Sequence, residues 1–423
     1  MEDWKSLLHL PLEVLDFIFK QLSPSHKLML ADSHPILGDA FLYHVGDTFK
    51  KLTLRQLPME ELVTLRLSGP GTFKIDTGKY SVDHMVLSWE DVLIILRLLG
   101  SSLLEIDAGE YGVKNMHLIF KSIQRHCNNL VSIKTPLNKE NVNAFCSLLL
   151  KLENLNAVGL SFYHKLDDFD PEYTIHVLHQ LPNLRKLKIG RIPDIQIDLV
   201  QQLVYLEDLD LCGRYVTWSN INIFEVCAPL KKLRSLRVCE CNVNGPYHND
   251  GLSYQDLEKL GVASCEIDHP FPFFPKLKFI DIRNSCGPLF EDLERTLLQH
   301  GNTLEKVVLL VEYFSGSSML RLIKNCRKLR FLYVHPMAFD PISKASMVSF
   351  ISILKENGVT PQNPFKLMVL VNSRHIGPEK VFEEEPISEL LLCWSDKQWY
   401  CNSYLPLFFW NALKTPFKDQ LWE

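Results

Sequence analysis

Short segments in which apolar and polar residues alternate recur along most of the chain. Each opens with leucine, is apolar again at its fourth and sixth positions and is mostly polar between them, as in LRKLKI and LEDLDL. Because successive side chains of a strand point to opposite faces, the fourth and sixth positions share one face, and each segment predicts a short strand with one buried stripe. The clear copies of this L-x-x-L-x-L pattern begin at Leu103, Leu130, Leu155, Leu184, Leu206, Leu233, Leu257, Leu277, Leu304 and Leu329.

Several intervening segments carry apolar residues at helical spacing. Three such stripes are Met116, Ile119, Phe120 and Ile123; Met319, Leu322, Ile323 and Cys326; and Met347, Phe350, Ile351 and Leu354. Successive copies of the strand pattern begin 20 to 29 residues apart, which is the period of a leucine-rich repeat. One strand and one helix cannot bury their apolar faces alone. We therefore expect a curved α/β solenoid with parallel strands on its concave side and helices on its convex side.

Weaker copies and flanking cysteines support the repeat interpretation. The weaker copies begin at Phe49, Leu62, Val82, Phe365 and Ile387, and we expect them to extend the repeats over residues 49-395. Four cysteines stand three residues before an opening leucine or three residues after the last strand position: Cys127, Cys326, Cys241 and Cys265. This spacing is typical of the cysteine-containing subtype of the repeat, and it predicts buried structural thiols.

Composition and charge exclude several classes of partner. The chain has 423 residues, of which 46% are hydrophobic and 22% charged, so it is long and apolar enough for a large core. Its 45 basic and 50 acidic residues give no positive excess for nucleic acid, and no apolar run reaches the roughly 18 residues of a membrane span. Without a signal-peptide pattern, an N-glycosylation sequon or a C-x-x-C pair, we expect a cytoplasmic or nuclear protein with reduced thiols.

No segment has the pattern of an enzyme active site. The stretch GPGTFKIDTGKY at 69–80 lacks the glycine spacing of a phosphate-binding loop, and Asp167, Asp168 and Asp170 lack the glycine and distal glutamate of a calcium-binding loop. No histidine pair has a convincing metal-ligand spacing. We therefore expect no catalytic residues, no metal and no cofactor.

The segment LPLEVLDFIFKQL precedes the repeats and does not share their period. Leu15, Ile18, Phe19 and Leu22 occupy one face of a helix, and Pro11 together with Glu13 in the first turn is typical of a helix start.

This region resembles the F-box, a three-helix module with the pattern L-P-x-E-x-L followed by I-F, a leucine, a polar turn and a second helix. The positions that match are Leu10, Pro11, Glu13, Leu15, Ile18, Phe19, Leu22, Ser23, Leu28, Leu30 and Ala31. The second half departs from the family, because Ser25-His26-Lys27 replaces an aspartate and Ser33, His34 and Leu37 replace a Val-Cys pair and a tryptophan. The turn resembles that of divergent insect members.

F-box and leucine-rich repeats occur together in substrate receptors of cullin-RING ubiquitin ligases. The resemblance implies a non-catalytic subunit in which residues 1-48 bind the small linker protein, and through it the cullin, while the repeats hold a target protein. The expected linker-binding residues are Leu10, Pro11, Glu13, Leu15, Ile18, Phe19, Leu22, Leu28 and Leu30. In the alternative interpretation the chain is a scaffold or inhibitor whose N-terminal helix only caps the solenoid.

The repeats also predict which residues face a target. Polar candidates on the concave face are Lys186, Lys188, Asp208, Asp210, Arg237, Lys259, Asp281 and Arg283. Phe279 is a further candidate on that face and is apolar. Later repeats place apolar residues there, and the expected set is Val308, Leu310, Phe331, Tyr333, Leu367, Val369, Val371 and Leu391. Such a stripe requires a cover, either the target or the aromatic tail at residues 396-423, and we expect the tail to cover most of it.

Overall fold

A computed structural model gives the fold of two compact units, Met1–Leu257 and Glu258–Glu423. The residues that it describes are 7–45, 50–56, 63–68, 85–87, 89–108, 115–162, 171–190, 199–212, 222–240, 242–243, 254–267, 271–283, 285, 290–311, 314–334, 344–370 and 390–396. The stretches at 69–80 and 167–170, Cys241 and the tail beyond Asp396 lie outside these ranges.

The first unit begins with three helices, α1 (Leu12–Gln21), α2 (Pro24–Ser33) and α3 (Pro35–Val45). Pro11 precedes the first turn of α1, and its carbonyl accepts hydrogen bonds from the Val14 and Leu15 N–H groups at 3.0 and 3.1 Å. Leu22 ends the helix in an extended conformation, and the Ser23 hydroxyl caps α2 by accepting the His26 N–H. The predicted N-terminal helix is therefore present, and it is the first of three.

The remainder of the first unit alternates strands with helices. Its strands are β1 (Lys51–Gln56), β2 (Val63–Ser68), β3 (Met85–Leu87), β4 (Glu105–Asp107), β5 (Ser132–Leu137), β6 (Ala157–Phe162), β7 (Lys186–Gly190), β8 (Asp208–Cys212), β9 (Ser235–Cys239) and β10 (Asn242–Val243). Its helices are α4 (Trp89–Leu99), a 3-10 turn (Gly100–Ser102), α5 (Met116–His126), α6 (Val142–Leu149), α7 (Pro171–His179) and α8 (Ile223–Cys227). In the sheet, the strand order is β9-β8-β7-β6-β5-β4-β1-β2-β3, and the strands from β4 to β9 are parallel.

The second unit repeats this arrangement. Its strands are β11 (Lys259–Ala263), β12 (Glu266–Ile267), β13 (Phe279–Arg283), β14 (Lys306–Leu310), β15 (Phe331–Val334), β16 (Phe365–Leu370) and β17 (Leu391–Asp396). Its helices are α9 (Phe290–Gln299), α10 (Gly316–Asn325) and α11 (Lys344–Glu356). The sheet order β17-β16-β15-β14-β13-β11 is parallel throughout.

One backbone contact recurs between successive repeats. The carbonyl of the second residue of a copy accepts two N–H groups of the next copy, as when Arg185 O accepts from Glu207 and Asp208 at 2.8 and 3.0 Å. The carbonyl of Glu305 accepts from Arg330 and Phe331 in the same way. This ladder aligns successive parallel strands in the same register, and the chain has the predicted leucine-rich-repeat α/β fold.

The predicted core positions are buried. Leucines that open the copies, such as Leu184 and Leu329, are enclosed together with the apolar stripes of α5 and α10. Phe350 and Leu354 of α11 are buried, Ile351 is half-buried, and the Met347 side chain lies outside the described part. Cys127, Cys265 and Cys326 are buried as predicted, and burial raises the pKa of Cys127 and of Cys326 to about 12.

Two of the three weak copies before Leu103 do not continue the parallel repeats. β1 pairs with β4 in parallel, but β2 runs antiparallel to β1 and β3 antiparallel to β2. Only residues 57–62 separate β1 from β2, whereas a parallel crossover needs a dozen or more residues. The expectation that the copies at Leu62 and Val82 add parallel strands was therefore wrong.

Candidate protein-interaction surfaces

The interior of the three N-terminal helices is built around Phe19. Its ring lies 5.7 Å from the Phe41 ring and 5.6 Å from the His44 ring, measured between ring centres. Leu15 and Leu28 are also buried. These three predicted linker-binding residues, Leu15, Phe19 and Leu28, thus support the surface of the module from inside.

A polar network joins the same helices. His44 Nδ1 donates to Asp16 Oδ1 at 2.6 Å, Lys20 Nζ lies 2.6 Å from Asp16 Oδ2, and Lys27 Nζ lies 3.4 Å from His44 Nε2. Hydrogen bonds from Lys20 and His44 hold the pKa of Asp16 below its usual value, and burial lowers the pKa of Lys27. Since Asp16 and His44 lie on α1 and α3, the network fixes the angle between these helices.

The outer surface of the module carries large exposed apolar side chains. Phe17 is 63% exposed and Met29 62%, and Leu12, Val14, Ile36 and Tyr43 are also exposed. Val14, Phe17 and the half-buried Ile18 lie at i, i+3 and i+4, which places them side by side on α1.

The remaining predicted linker-binding residues lie at or near this surface. Pro11 and Glu13 are exposed, and Leu10, Ile18, Leu22 and Leu30 are half-buried. The sequence prediction missed Phe17 and Met29, although the three-residue spacing of Val14 and Phe17 could have indicated a second apolar face.

Another side of the module contacts the repeats. Helices α2 and α3 pack against α4, where Arg97 forms an ion pair with Asp32. Gly38 of α3 approaches Leu98 so closely that a Cβ added at Gly38 would lie 3.3 Å from Leu98 Cδ2. The N-terminal helices therefore cover the first helix of the repeat region.

The concave face of each unit is the sheet face opposite the helices. In the first unit its middle row holds alternating charges in neighbouring strands, Asp107, Lys134, Lys188, Asp210 and Arg237, which we call the ionic row. Lys188 Nζ lies 2.8 Å from Asp210 Oδ2, and Lys134 Nζ lies 3.9 Å from Asp107 Oδ1. The glycine between Lys134 and Lys188 in this row is Gly159.

The charges of the ionic row stabilise one another. Asp210 raises the pKa of Lys188 above its usual value. Burial opposes the charged form of Asp210, but Lys188 and Arg237 nevertheless hold the pKa of this carboxyl below its usual value. Lys186 and Asp208 occupy the parallel row beside it, so all the polar candidates of the first unit share one face.

The same face of the second unit contains an apolar cluster. Phe279, Val308, Phe331, Tyr333 and Met368 form one buried cluster, which we call the apolar cluster, and Leu310 packs against it. Each cluster residue is at most 8% exposed, although none of them faces the helices. Lysines flank the cluster at Lys259, Lys306 and Lys366.

The other two target candidates of the second unit form an ion pair beside this cluster. Arg283 Nε donates to Asp281 Oδ1 at 2.6 Å, and Asp281 is buried. Both lie on the concave face through their register with β14.

Three residues assigned to the concave face of the last repeats are placed differently. Leu367 and Val369 are the register partners of the core residues Leu332 and Val334, and Leu391 pairs with Phe365 on that same core face. The prediction was wrong by one residue because FKLMVL is apolar at nearly every position. Met368 takes the concave position instead, and Val371 lies outside the described residues.

Within the described ranges, no group of three or more His, Cys, Asp or Glu side chains could hold a metal ion. None of the helices that the structure describes is both long and apolar enough to cross a membrane.

Comparisons with known proteins identify similar folds. No family model matches the chain, and no curated protein matches its sequence. A solved structure of the yeast Rad7 and Elc1 complex contains a chain that is 15% identical, with 93% of this chain and 94% of that chain covered and a TM-score of 0.49. Internalin C2 of Listeria monocytogenes is 16% identical over 51% of this chain and 83% of that chain, with a TM-score of 0.31. The TLR13–ssRNA13 complex is 18% identical over 56% of this chain and 36% of that chain, with a TM-score of 0.36. At these identities the similarities concern the fold alone.

Proposed function

We propose that the protein is a non-catalytic substrate receptor of a cullin-RING ubiquitin ligase. The N-terminal helices bind the small linker protein, and the repeats hold a target protein for ubiquitination by a separate enzyme. The proposal rests on the F-box resemblance of the N-terminal residues, and its single structural support is the exposed apolar surface on α1 and α2.

That surface is suited to a protein partner. Phe17 and Met29 are more than half exposed, whereas Leu15, Phe19 and Leu28 of the same two helices are enclosed. Exposed large apolar side chains that neighbour one another mark protein-contact sites, and aromatic residues contribute most of the binding energy at such sites. A rigid support lowers the entropy that binding costs.

The ionic row provides a surface of a different kind for the target. It presents paired charges of both signs, which favour selection of a complementary partner more than high affinity. Holding a target beside a ubiquitin-charged enzyme turns their encounter into a nearly intramolecular event. The protein therefore contributes effective concentration and needs no catalytic residue.

Replacing Phe17 with aspartate tests the linker-binding surface. We expect Phe17→Asp to abolish co-purification of the linker and the cullin with the full chain, because it places a charge in an apolar contact. Val348→Asp is the matched control, since Val348 on α11 is 64% exposed, almost the same as Phe17. Circular dichroism should show both variants folded. If the Phe17→Asp variant recovers as much linker and cullin as the wild type, the proposal is contradicted. It is also contradicted if the wild type recovers neither.

The packing of α2 and α3 against α4 favours a second candidate function. If the module only caps the repeats, the protein is a leucine-rich-repeat scaffold or inhibitor. The main role of the module is then to cover the first repeat through the Asp32–Arg97 ion pair and the Gly38–Leu98 contact. Deleting residues 1–45 separates the two. A receptor should lose the linker while its repeats remain folded, whereas a scaffold should bind no linker when intact and unfold when the cap is removed.

A further inference from the structure

Two cysteines face each other on the concave side of the first unit. Cys212 ends β8 and Cys239 ends β9, and the two are direct register partners in adjacent parallel strands. They lie two residues beyond Asp210 and Arg237, on the same face as the ionic row. Neither is joined by a disulfide.

The spacing of the pair suits a covalent bond between the two sulfurs. Adjacent strands lie about 4.8 Å apart, and disulfides join residues whose Cα atoms are roughly 4.4 to 6.8 Å apart. Both side chains project from the same face of the sheet, so the two sulfurs lie side by side.

Cys212 is the more exposed sulfur of the pair. Its register partner on β7 is Gly190, which has no side chain to cover the sulfur. Cys212 is half-buried, whereas Cys239 is only 5% exposed and Cys127, Cys146, Cys227 and Cys265 are also enclosed. A small reagent should therefore reach the pair through Cys212.

The electrostatic surroundings favour one thiolate. A hydrogen bond from Cys212, together with the charge of Arg237, lowers the pKa of Cys239, and the same hydrogen bond raises the pKa of Cys212. The thiolate form is therefore favoured at Cys239 over Cys212. By contrast, burial alone raises the pKa of Cys127 and of Cys227 to about 12.

We propose that Cys212 and Cys239 are a redox-active dithiol that closes to a disulfide when the protein meets a low-molecular-weight disulfide such as oxidised glutathione. A thiolate of the pair attacks one sulfur of the oxidant, forms a mixed disulfide and releases one glutathione thiolate. The second cysteine loses its proton and attacks the protein sulfur of the mixed disulfide, which releases a second glutathione. The protein loses two hydrogens and two electrons, and the oxidant becomes two molecules of reduced glutathione.

Structural zinc has four ligands, and the described residues provide no group of three or more His, Cys, Asp or Glu side chains. Two adjacent sulfurs suit disulfide chemistry, or a trivalent arsenical that binds two thiols together. If the ionic row binds the target, the redox state of the pair alters that face; this consequence rests on the proposed function, whereas ring closure does not.

Differential alkylation of the full chain tests ring closure. The folded protein is exposed to a series of oxidised-to-reduced glutathione ratios, quenched with acid, unfolded and labelled, and each cysteine is quantified by mass spectrometry. We expect Cys212 and Cys239 to lose labelling together in one transition and to regain it after reduction. Cys127, Cys146 and Cys227 in the same molecules serve as enclosed controls and should stay labelled throughout.

Single variants show whether the two cysteines act together. Cys239→Ser should stop the reaction at a glutathione adduct on Cys212, whereas Cys212→Ser, which leaves only the enclosed Cys239, should react much more slowly. Phenylarsine oxide should protect both thiols of the wild type from labelling and be removed by washing from either variant. Full labelling of the wild-type pair at every ratio, a persistent single adduct in the wild type, or disulfides from Cys212 or Cys239 to another cysteine would overturn the proposal. Each outcome is independent of linker and target binding.

Discussion

The concave faces of the two units use the same repeat positions in opposite ways. In the first unit the middle row holds Lys188, Asp210 and Arg237, which remain partly exposed, and Lys188 forms an ion pair with Asp210. In the second unit the equivalent row includes Val308 and Tyr333, which are buried within the apolar cluster. The leucine positions fix the strands and the helix-facing core, and the positions between them are left for either contact with a partner or burial.

The two faces differ in what they contribute to stability. A partly exposed ion pair typically contributes about 0 to 1 kcal/mol, whereas burying one large apolar side chain contributes about 1.5 to 3 kcal/mol. A single layer of side chains on a sheet cannot enclose a phenylalanine and a tyrosine on its own. The apolar cluster therefore needs a second layer, and the sequence predicts that residues 396–423 provide it.

Among the changes that test this difference between the two faces, removing the tail should have the largest effect on stability. The chain leaves β17 at Asp396, and β14 lies three strand spacings away, about 14 Å or about five extended residues. Residues 397–423 are thus long enough to reach every residue of the cluster, and Trp399, Phe408, Phe409 and Trp410 provide the apolar area. A chain that ends at Asp396 should lose several kcal/mol of stability and bind an apolar dye.

The linker provides the control for this truncation. Thermal unfolding and dye fluorescence should change in the truncated chain while co-purification of the linker does not. An unchanged melting temperature together with an unchanged dye signal contradicts the assignment of the tail to the apolar cluster.

A single substitution in the cluster should have the next largest effect. Phe331→Ala removes a ring that is only 8% exposed, and we expect it to destabilise the protein by about 3 to 5 kcal/mol. Lys186→Ala is the matched control because Lys186 holds the equivalent repeat position and is exposed, so its loss should change stability by about 0.5 kcal/mol or less. Urea unfolding of both variants measures the difference. Equal losses would mean that the two faces are not distinct.

Acid should affect the ionic row and spare the apolar cluster. Because Lys188 and Arg237 hold the pKa of Asp210 below its unfolded value of about 3.9, the native state binds fewer protons than the unfolded state near that pH. The resulting stability is present above about pH 4 and is lost as the pH falls through the native pKa. Asp210→Asn should flatten the fall in unfolding free energy below pH 4, and Lys188→Met should reduce it. A slope that neither variant changes would show that the pair does not contribute.

The repeats were predictable because leucine marks them, and the errors occur where that signal is weak. In LRFLYV and LRKLKI the order of polar and apolar positions identifies the phase of the strand, that is, which residues face the core, and the structure confirms it. In FKLMVL only Lys366 is polar, so the phase is set by a long-range contact, the hydrogen bond from Lys366 N to Arg330 O at 2.8 Å. The strand direction of β2 likewise depends on connection length more than on its own residues.

The N-terminal module shows the same limit. The stripe of Leu15 and Phe19 correctly predicts the interior of α1. The link between Asp16 and His44 depends on α3, because His44 lies 28 residues further along the chain. A pattern within one helix cannot indicate that link. The pairing of Cys212 with Cys239 was missed for the same reason, since it arises only from strand register.

The smallest expected effect concerns the glycine within the ionic row. A Cβ added at Gly159 would lie 2.8 Å from Lys134 Cγ, so Gly159→Ala must displace the Lys134 side chain, one of the charges that lower the pKa of Asp210. Gly190→Ala is the matched control on the next strand, because its Cβ would meet Ser161 Oγ at 3.4 Å, an ordinary contact. Both alanines reduce the entropy of the unfolded chain, which by itself stabilises by about 0.4 to 1 kcal/mol. We expect this gain at Gly190, and at Gly159 a net loss of about 1 kcal/mol with a small rise in the pKa of Asp210, because overpacking costs about 1 to 3 kcal/mol. Carboxyl NMR titration and urea unfolding measure the two effects. If the two variants gain equal stability, the Lys134 side chain adjusts without cost. The ionic row then tolerates changes that the close-packed apolar cluster cannot.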